Sequence, residues 1–184
     1  TPNHGPVIEP ISPQGWLNTS NVEFVLVYND TDMDDIQSIV LQVSNDASVQ
    51  EYHWQPGFNL SFDDGDYRWR AMGYDEFGKP GNYSSWMEFH IDTTPPEPFM
   101  VNDTGDYTSN STLIFWWSDT IDLGIGLGGY MYAISYESVD NYITSWTWCD
   151  EAEVIRYNAS TPGTYYISVI AYDLLNNSRL ISSD

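Results

Sequence analysis

The sequence predicts an all-β fold made of two tandem β-sandwich modules, and three observations carry that expectation. Short apolar runs rich in Val, Ile, Tyr and Trp recur between turn residues, and no segment sustains a 3.6-residue apolar period with caps. The chain also repeats itself: Gly65–Asp75 (GDYRWRAMGYD) aligns without gaps to Gly163–Asp173 (GTYYISVIAYD), with Gly, Tyr, Tyr and Asp in register and small Gly73 opposite small Ala171. Finally, 184 residues suit two sandwiches of about 90. Ile91-Asp-Thr-Thr-Pro-Pro-Glu-Pro98 reads as an extended, Pro-stiffened linker between them. The expected modules are 1–94 and 95–184.

The elements follow in order. In the first module, alternation and turn residues predict strands over Val7–Ile11, Val22–Val27, Ile36–Val43, Val49–Trp54, Phe58–Phe62, Tyr67–Tyr74 and Ser84–Ile91. In the second they predict Thr112–Trp117, Tyr130–Tyr136, Ser145–Trp148, Val154–Tyr157 and Tyr165–Tyr172. Period 2 places Tyr67, Trp69 and Ala71 inward, with Arg68, Arg70 and Met72 outward. Asp63-Asp64-Gly65 and Thr161-Pro162-Gly163 are the turns that launch the repeated strand. Upstream, Phe24–Asp30 aligns to Ile114–Thr120 at an offset of about 90, whereas the repeated strand is offset by 98. The second module therefore carries an insertion of about eight residues, expected between Gly124 and Glu151.

Charge excludes several function classes. Asp and Glu number 27 against 5 Lys and Arg, a formal net charge of −22. Nucleic acid is excluded as a partner because binding phosphates needs a basic face. Insertion of this segment into a membrane is excluded because no run approaches the roughly 20 apolar residues of a span. Such a surface suits cations, or a high-salt habitat that screens self-repulsion. Cys149 is the single cysteine, so no intrachain disulfide forms. It reads as an inert half-buried thiol, with an intermolecular disulfide as the alternative.

Asn-X-Ser/Thr sequons occur at Asn18, Asn29, Asn59, Asn82, Asn102, Asn110, Asn158 and Asn176, eight of 13 Asn. With 32 Ser and Thr in the chain, chance would supply about two. The excess predicts N-linked glycans on exposed faces and turns, and therefore an extracellular, cell-surface location. The acidic, Lys-poor, disulfide-free composition points to an archaeal surface.

No catalytic constellation emerges, and the expectation is a protein that is not an enzyme. His4, His53 and His90 are scattered, and no Gly-X-Ser-X-Gly elbow exists. Gly124–Gly129 lacks the Lys and helix of a phosphate loop and reads as a turn. Asp30, Asp32, Asp34 and Asp35 are the candidate metal ligands, because alternate Asp residues on a loop can converge oxygens on Ca²⁺. A solvated acidic turn is the alternative, and a glycan on Asn29 would crowd a metal there. Tyr136, Tyr142, Trp146 and Trp148 cluster in the insertion, as core filling or as an interface.

The Gly-X-Tyr strand ending in Tyr74-Asp75 and Tyr172-Asp173, the Gly/Asn turns after it and the Asp-Thr-Thr-Pro-Pro linker resemble tandem fibronectin type III or related immunoglobulin-like modules of prokaryotic surface proteins. The resemblance implies a spacer, adhesin or wall-lattice unit, here a structural glycoprotein of a surface layer, sheath or filament. Its partners would be copies of itself or other surface glycoproteins. The alternative is a carbohydrate-binding or adhesive module of a larger secreted protein. The last strand of the second module is expected to be incomplete, since 12 residues follow Tyr172 where 17 run from Tyr74 to Ile91. A missing strand invites donor-strand exchange. Val7, Ile8 and Ile11 of a neighbour are the expected donor residues, and Leu180 and Ile181 flank the receiving edge. A contact of that kind does not close on itself and builds a filament; the alternative is a chain that continues through the strand.

Overall fold

The computed structural model describes residues 3–32, 35–105 and 108–183. The chain divides into two compact units, Thr1–Thr93 and Thr94–Asp184. All described elements are strands, and each unit is a β-sandwich of the immunoglobulin-like, fibronectin type III-like class.

Unit 1 contains β1 (Val7–Ser12), β2 (Gly15–Leu17), β3 (Asn21–Glu23), β4 (Val25–Asn29), β5 (Ile36–Ser44), β6 (Val49–Trp54), β7 (Asn59–Ser61), β8 (Gly65–Asp75) and β9 (Met87–Ile91). One sheet runs β2-β9-β8-β5-β6, and the facing layer is two short ladders, β1-β4 and β3-β7. The core follows from period 2. Trp69 and Ala71 of β8, Leu41 and Val43 of β5, and Phe89 and Ile91 of β9 meet Phe24, Leu26 and Ile8 from the facing layer. Arg68 and Arg70 point outward and cover Trp86, with guanidinium-to-ring distances of 4.9 and 4.4 Å.

Beyond shifts at strand ends, such as β9 opening at Met87 and not at Ser84, two features differ from expectation. The single strand expected over Val22–Val27 breaks at Phe24, whose ring is 1% exposed. Its N–H donates to Phe58 O at 3.0 Å, and the chain changes partners there, from β7 before the break to β1 after it. A change of partner is a tertiary event that a local pattern does not record. The short β2, absent from the sequence reading, lies parallel to β9. Just before it, Pro13 O accepts the Trp69 Nε1–H at 2.9 Å.

Unit 2 contains β10 (Val101–Asp103), β11 (Thr112–Trp117), β12 (Leu127–Tyr136), β13 (Thr147–Cys149), β14 (Val154–Asn158), β15 (Tyr165–Asp173) and β16 (Ser178–Ser182). Sheet β13-β12-β15-β16 accompanies sheet β10-β11-β14. The insertion falls mainly between β12 and β13, at residues 137–146, where unit 1 spans β5 to β6 with residues 45–48. Burial corrects the upstream alignment by one residue: Phe115 and Trp117 are buried, so they, and not Ile114 and Trp116, correspond to Phe24 and Leu26. In a strand a one-residue shift exchanges the two faces.

The repeated strand opens identically in both units. Tyr67 Oη donates to Asp63 O at 3.0 Å, and Tyr165 Oη donates to Thr161 O at 2.9 Å. This bond back to the backbone upstream is the corner device of immunoglobulin-like sandwiches. It explains why Tyr is shared at this position.

Candidate functional site

The strongest concentration of unusual polar chemistry lies where β8 of unit 1 ends. Asp75 is fully buried. Its Oδ1 accepts the N–H groups of Phe77 at 2.9 Å and Lys79 at 2.7 Å, closing the turn toward β9. Unit 2 repeats the device: Asp173 Oδ1 accepts from Leu175 N at 2.8 Å and Asn177 N at 2.7 Å. Burial by itself would raise the Asp75 pKa. The Lys79 N–H, the Asn3 side chain, the Phe77 N–H and the Lys79 charge outweigh it and hold the carboxyl below its ordinary value. Asp75 Oδ2, however, is buried without a hydrogen-bond partner.

The predicted metal ligands divide at the same region. Asp30 Oδ1 accepts the Asp32 N–H at 2.8 Å, while Asp30 Oδ2 is a second buried oxygen without a partner. Asp32 accepts the His4 N–H and faces His4 Nδ1 at 3.2 Å. These contacts lower its pKa, the backbone bond most and against the effect of burial. Asp34 lies outside the described residues, and Asp35 is exposed. Asn3 stands by Asp75 and its neighbour His4 holds Asp32, so the N-terminal segment runs between the two carboxylates. Asp75 was legible only as a conserved letter of the internal repeat; its burial was not. In unit 2, Asp122 Oδ1 accepts from Gly124 N and Gly126 N at 3.0 Å each, fixing the Gly-rich turn. Asp122 and Asp173 bring ligand oxygens within 4.8 Å of each other, the widest span that one Ca²⁺ with bonds of about 2.4 Å can bridge.

Seven of the eight sequon asparagines are exposed, and Asn102 is half-buried on β10. Asn110 Oδ1 accepts the Thr112 N–H at 3.0 Å in a tight turn, and Asn176 sits at φ 68° in the turn before β16.

The other candidates separate. His4 faces Asp32, His90 Nδ1 lies 2.6 Å from Asp66 under a stacked Trp16, and His53 is exposed on β6. The four candidate aromatics form distinct pairs: Tyr142 with Trp146 inside the insertion, Tyr136 of β12 with Tyr165, and Trp148 of β13 with Tyr172. Burial, with Glu153 and Asp150 nearby, pushes the Cys149 thiol up to about 11. Val7, Ile8 and Ile11 lie in β1, paired to β4. Ile8 belongs to the core of unit 1, so donating this segment requires β1 to leave β4. Leu180 is exposed and Ile181 half-buried on β16.

Unit 2 also holds a cleft of about 620 Å³ beside the start of β15, bordered by Leu113, Phe115, Ser160, Gly163 and Tyr165. Among the described residues no helix is long and apolar enough to cross a membrane.

No family model and no curated protein matches the sequence. Solved structures resemble it at low identity. Fibronectin(III)-like modules of Clostridium thermocellum CbhA are 14% identical, with 96% of this chain and 92% of that one covered at a TM-score of 0.45. A bacterial ice-binding adhesin is 14% identical, with 96% and 62% covered at a TM-score of 0.47. The FN1–FN3 domains of chicken CNTN1 are 10% identical, with 100% and 66% covered at a TM-score of 0.43.

Proposed function

We propose that this chain is a structural segment of an extracellular surface glycoprotein, a part of a surface layer, sheath or filament, and not an enzyme. The observation that supports it most is the exposure of seven of the eight sequon asparagines. Exposure leaves these sites open to a glycan, and the excess of eight sequons over the about two that chance would supply is the reason to expect glycans there. The net charge of −22 suits a hydrated outer surface in a salty medium, and the archaeal assignment belongs to the same reading. Partners are copies of this chain or other surface glycoproteins. A carbohydrate-binding module would need exposed aromatics in one row, and the separate ring pairs of unit 2 give that reading less support. Intact mass spectrometry of protein purified from its native source tests the proposal. Masses heavier than the bare 21.0 kDa chain by several glycans are expected, and the bare mass would overturn it.

A further inference from the structure

Sheet β13-β12-β15-β16 of unit 2 has an outer face turned away from the core. Period 2 sends Tyr130, Ile134, Ile167 and Val169 inward, so Met131 and Ile170 point outward. Register sets Trp148 beside Met131, Met131 beside Ile170, and Ile170 beside Leu180. The four side chains therefore form one apolar row across all four strands. Its two ends are open to solvent, Trp148 at 49% and Leu180 at 55% exposure. The Trp148 indole covers Gly129, where a Cβ would come within 3 Å of it, and lies 5.8 Å from the ring of outward Tyr172. A bridge from Ser135 to Tyr142 extends the surface to the insertion.

Two further properties set this face apart. The first is charge. Among the described residues, no outward position of the four strands is Asp, Glu, Lys or Arg, in a chain of net charge −22. Arg179 of β16 lies on the other side, opposite Ala171. Asp150, which accepts the Trp148 Nε1–H at 2.9 Å, stands at the rim. The matching face of unit 1 is charged: the repeat aligns Arg68 with Tyr166 and Arg70 with Ser168, and Gln42 stands between Arg70 and Glu51. The second property is the placing of sequons. Asn102 and Asn158 lie on β10 and β14 of the other sheet, Asn110 precedes β11, and Asn176 sits in the turn joining β15 to β16. None lies on a strand of this sheet.

We infer that a second copy of this chain docks on this face, through a twofold contact between the two four-stranded sheets. Charge names the occupant. Two copies of net charge −22 repel wherever carboxylates face each other, and this face lets them meet without opposing any. The row is also self-complementary. A twofold axis lying between the two sheets, parallel to the strands and over the gap between β12 and β15, sets Trp148 of each copy against Leu180 of the other. Four strands about 4.8 Å apart, each with about five residues of about 3.4 Å, span roughly 19 by 17 Å. That is below the roughly 800 Å² a side of a standard interface. The contact is therefore weak alone and gains strength in an array. The inference deepens the assembly reading and rests on it for the meaning of the sequons; a bare chain mass would overturn the glycans and leave the apolar, uncharged face as it is.

The test is sedimentation equilibrium of the full 184-residue chain, carried up to about 1 mM to reach a weak contact. A reversible monomer–dimer equilibrium is expected. It should tighten as salt rises to about 1 M, where screening removes the repulsion between copies. Leu180→Glu and Trp148→Ala should each weaken it at least about tenfold, while the β12 and β15 amides keep their hydrogen-exchange protection. Val154→Glu puts the same charge on an exposed apolar residue of β14, in the other sheet. It should change the dissociation constant by less than about twofold. A monomer at every concentration, an equilibrium that salt weakens, or equal weakening by Leu180→Glu and Val154→Glu overturns the inference. If a chain that stays monomeric binds a soluble β-glucan through Trp148, the face belongs to a sugar and the inference is likewise overturned.

Discussion

The two units solve one packing problem with different side chains. In unit 1 the indole at the centre belongs to Trp69 on β8, fully buried, with its Nε1–H donated to Pro13 O. Unit 2 has Ile167 at that position and places its indole on the facing sheet, as Trp117. Trp117 lies 5.8 Å from Tyr130, the counterpart of Ile39, and its Nε1–H is buried without a partner. Volume is exchanged across the sandwich while the pattern of inward positions is kept, as cores permit when total volume is conserved. The polar atom travels less well. In unit 1 the segment leading to β2 brings a carbonyl to the indole, and β2 is anchored by its parallel pairing with β9. The indole bond of unit 1 thus depends on the segment leading to β2, a strand without a counterpart among the described strands of unit 2.

The largest effect should come from removing the better-anchored indole. Trp69→Ala is expected to cost about 3–5 kcal/mol, read as lost hydrogen-exchange protection across β5 and β8. Trp69→Phe should cost more than Trp117→Phe, because the first leaves Pro13 O without its donor while the second removes a donor that has no acceptor. Equal costs for the two Phe substitutions would break the comparison.

How much of this was legible depends on which interaction sets each feature. The inward face of β8 was readable because Tyr67, Trp69 and Ala71 obey a local period of two. The break at Phe24 was not, because it records a change of partner from β7 to β1. β2 was hidden because a three-residue strand is fixed by its neighbour β9 and not by its own pattern. The acidic loop of Asp30 and Asp32 was visible as a motif, whereas the buried Asp75 sits at the far end of β8, outside any acidic run. Only the repeat of Asp75 as Asp173 hinted at a shared task.

Glycines sharpen the comparison next. Gly65 and Gly163 launch the repeated strand at φ 150° and 158°. A Cβ on Gly65 would meet only the Tyr67 ring, at 3.8 Å, whereas one on Gly163 would collide with the Tyr136 ring and Glu137 Oε1, both nearer than 3 Å. Gly163→Ala should therefore cost about 2 kcal/mol and Gly65→Ala about 1 kcal/mol, measured by denaturant unfolding. The reverse order would show that the Tyr136–Tyr165 ring pair yields easily.

The acidic ends come next in size. Asp75 has a folded pKa below its ordinary 3.8, so its stabilisation is complete above that value and is lost as pH falls through the depressed one. Acid titration of the unit 1 melt should show this loss, and Asp75→Asn, which keeps an oxygen for the Phe77 and Lys79 N–H groups, should flatten it. The acidic loop, where Asp30 keeps a buried oxygen without a partner, also predicts a response to Ca²⁺. At ten times its dissociation constant the ion adds about 1.4 kcal/mol, so EDTA should lower the melting temperature by a few degrees in wild type and not in Asp30→Asn. An identical EDTA response in both proteins would separate the calcium effect from this carboxylate.

The smallest effect concerns the position where the units differ most in size. Register places Trp54 beside Ile39 in unit 1 and Cys149 beside Tyr130 in unit 2. Trp54 donates its Nε1–H to Phe24 O at 2.7 Å and so ties β6 to the break in the facing layer. Cys149 offers no such bond and acts as a small apolar filler, 8% exposed. Cys149→Ala should accordingly cost about 1 kcal/mol or less, and Trp54→Ala clearly more. The thiol gives a second readout. With its pKa pushed up to about 11, the thiolate at pH 8 is roughly a thousandth of the total, since each pH unit is tenfold. Alkylation of the folded protein should therefore be slow at pH 8 and quicken sharply when unit 2 unfolds. Rapid labelling under native conditions would mean that β13 opens away from Tyr130 far more readily than its burial implies.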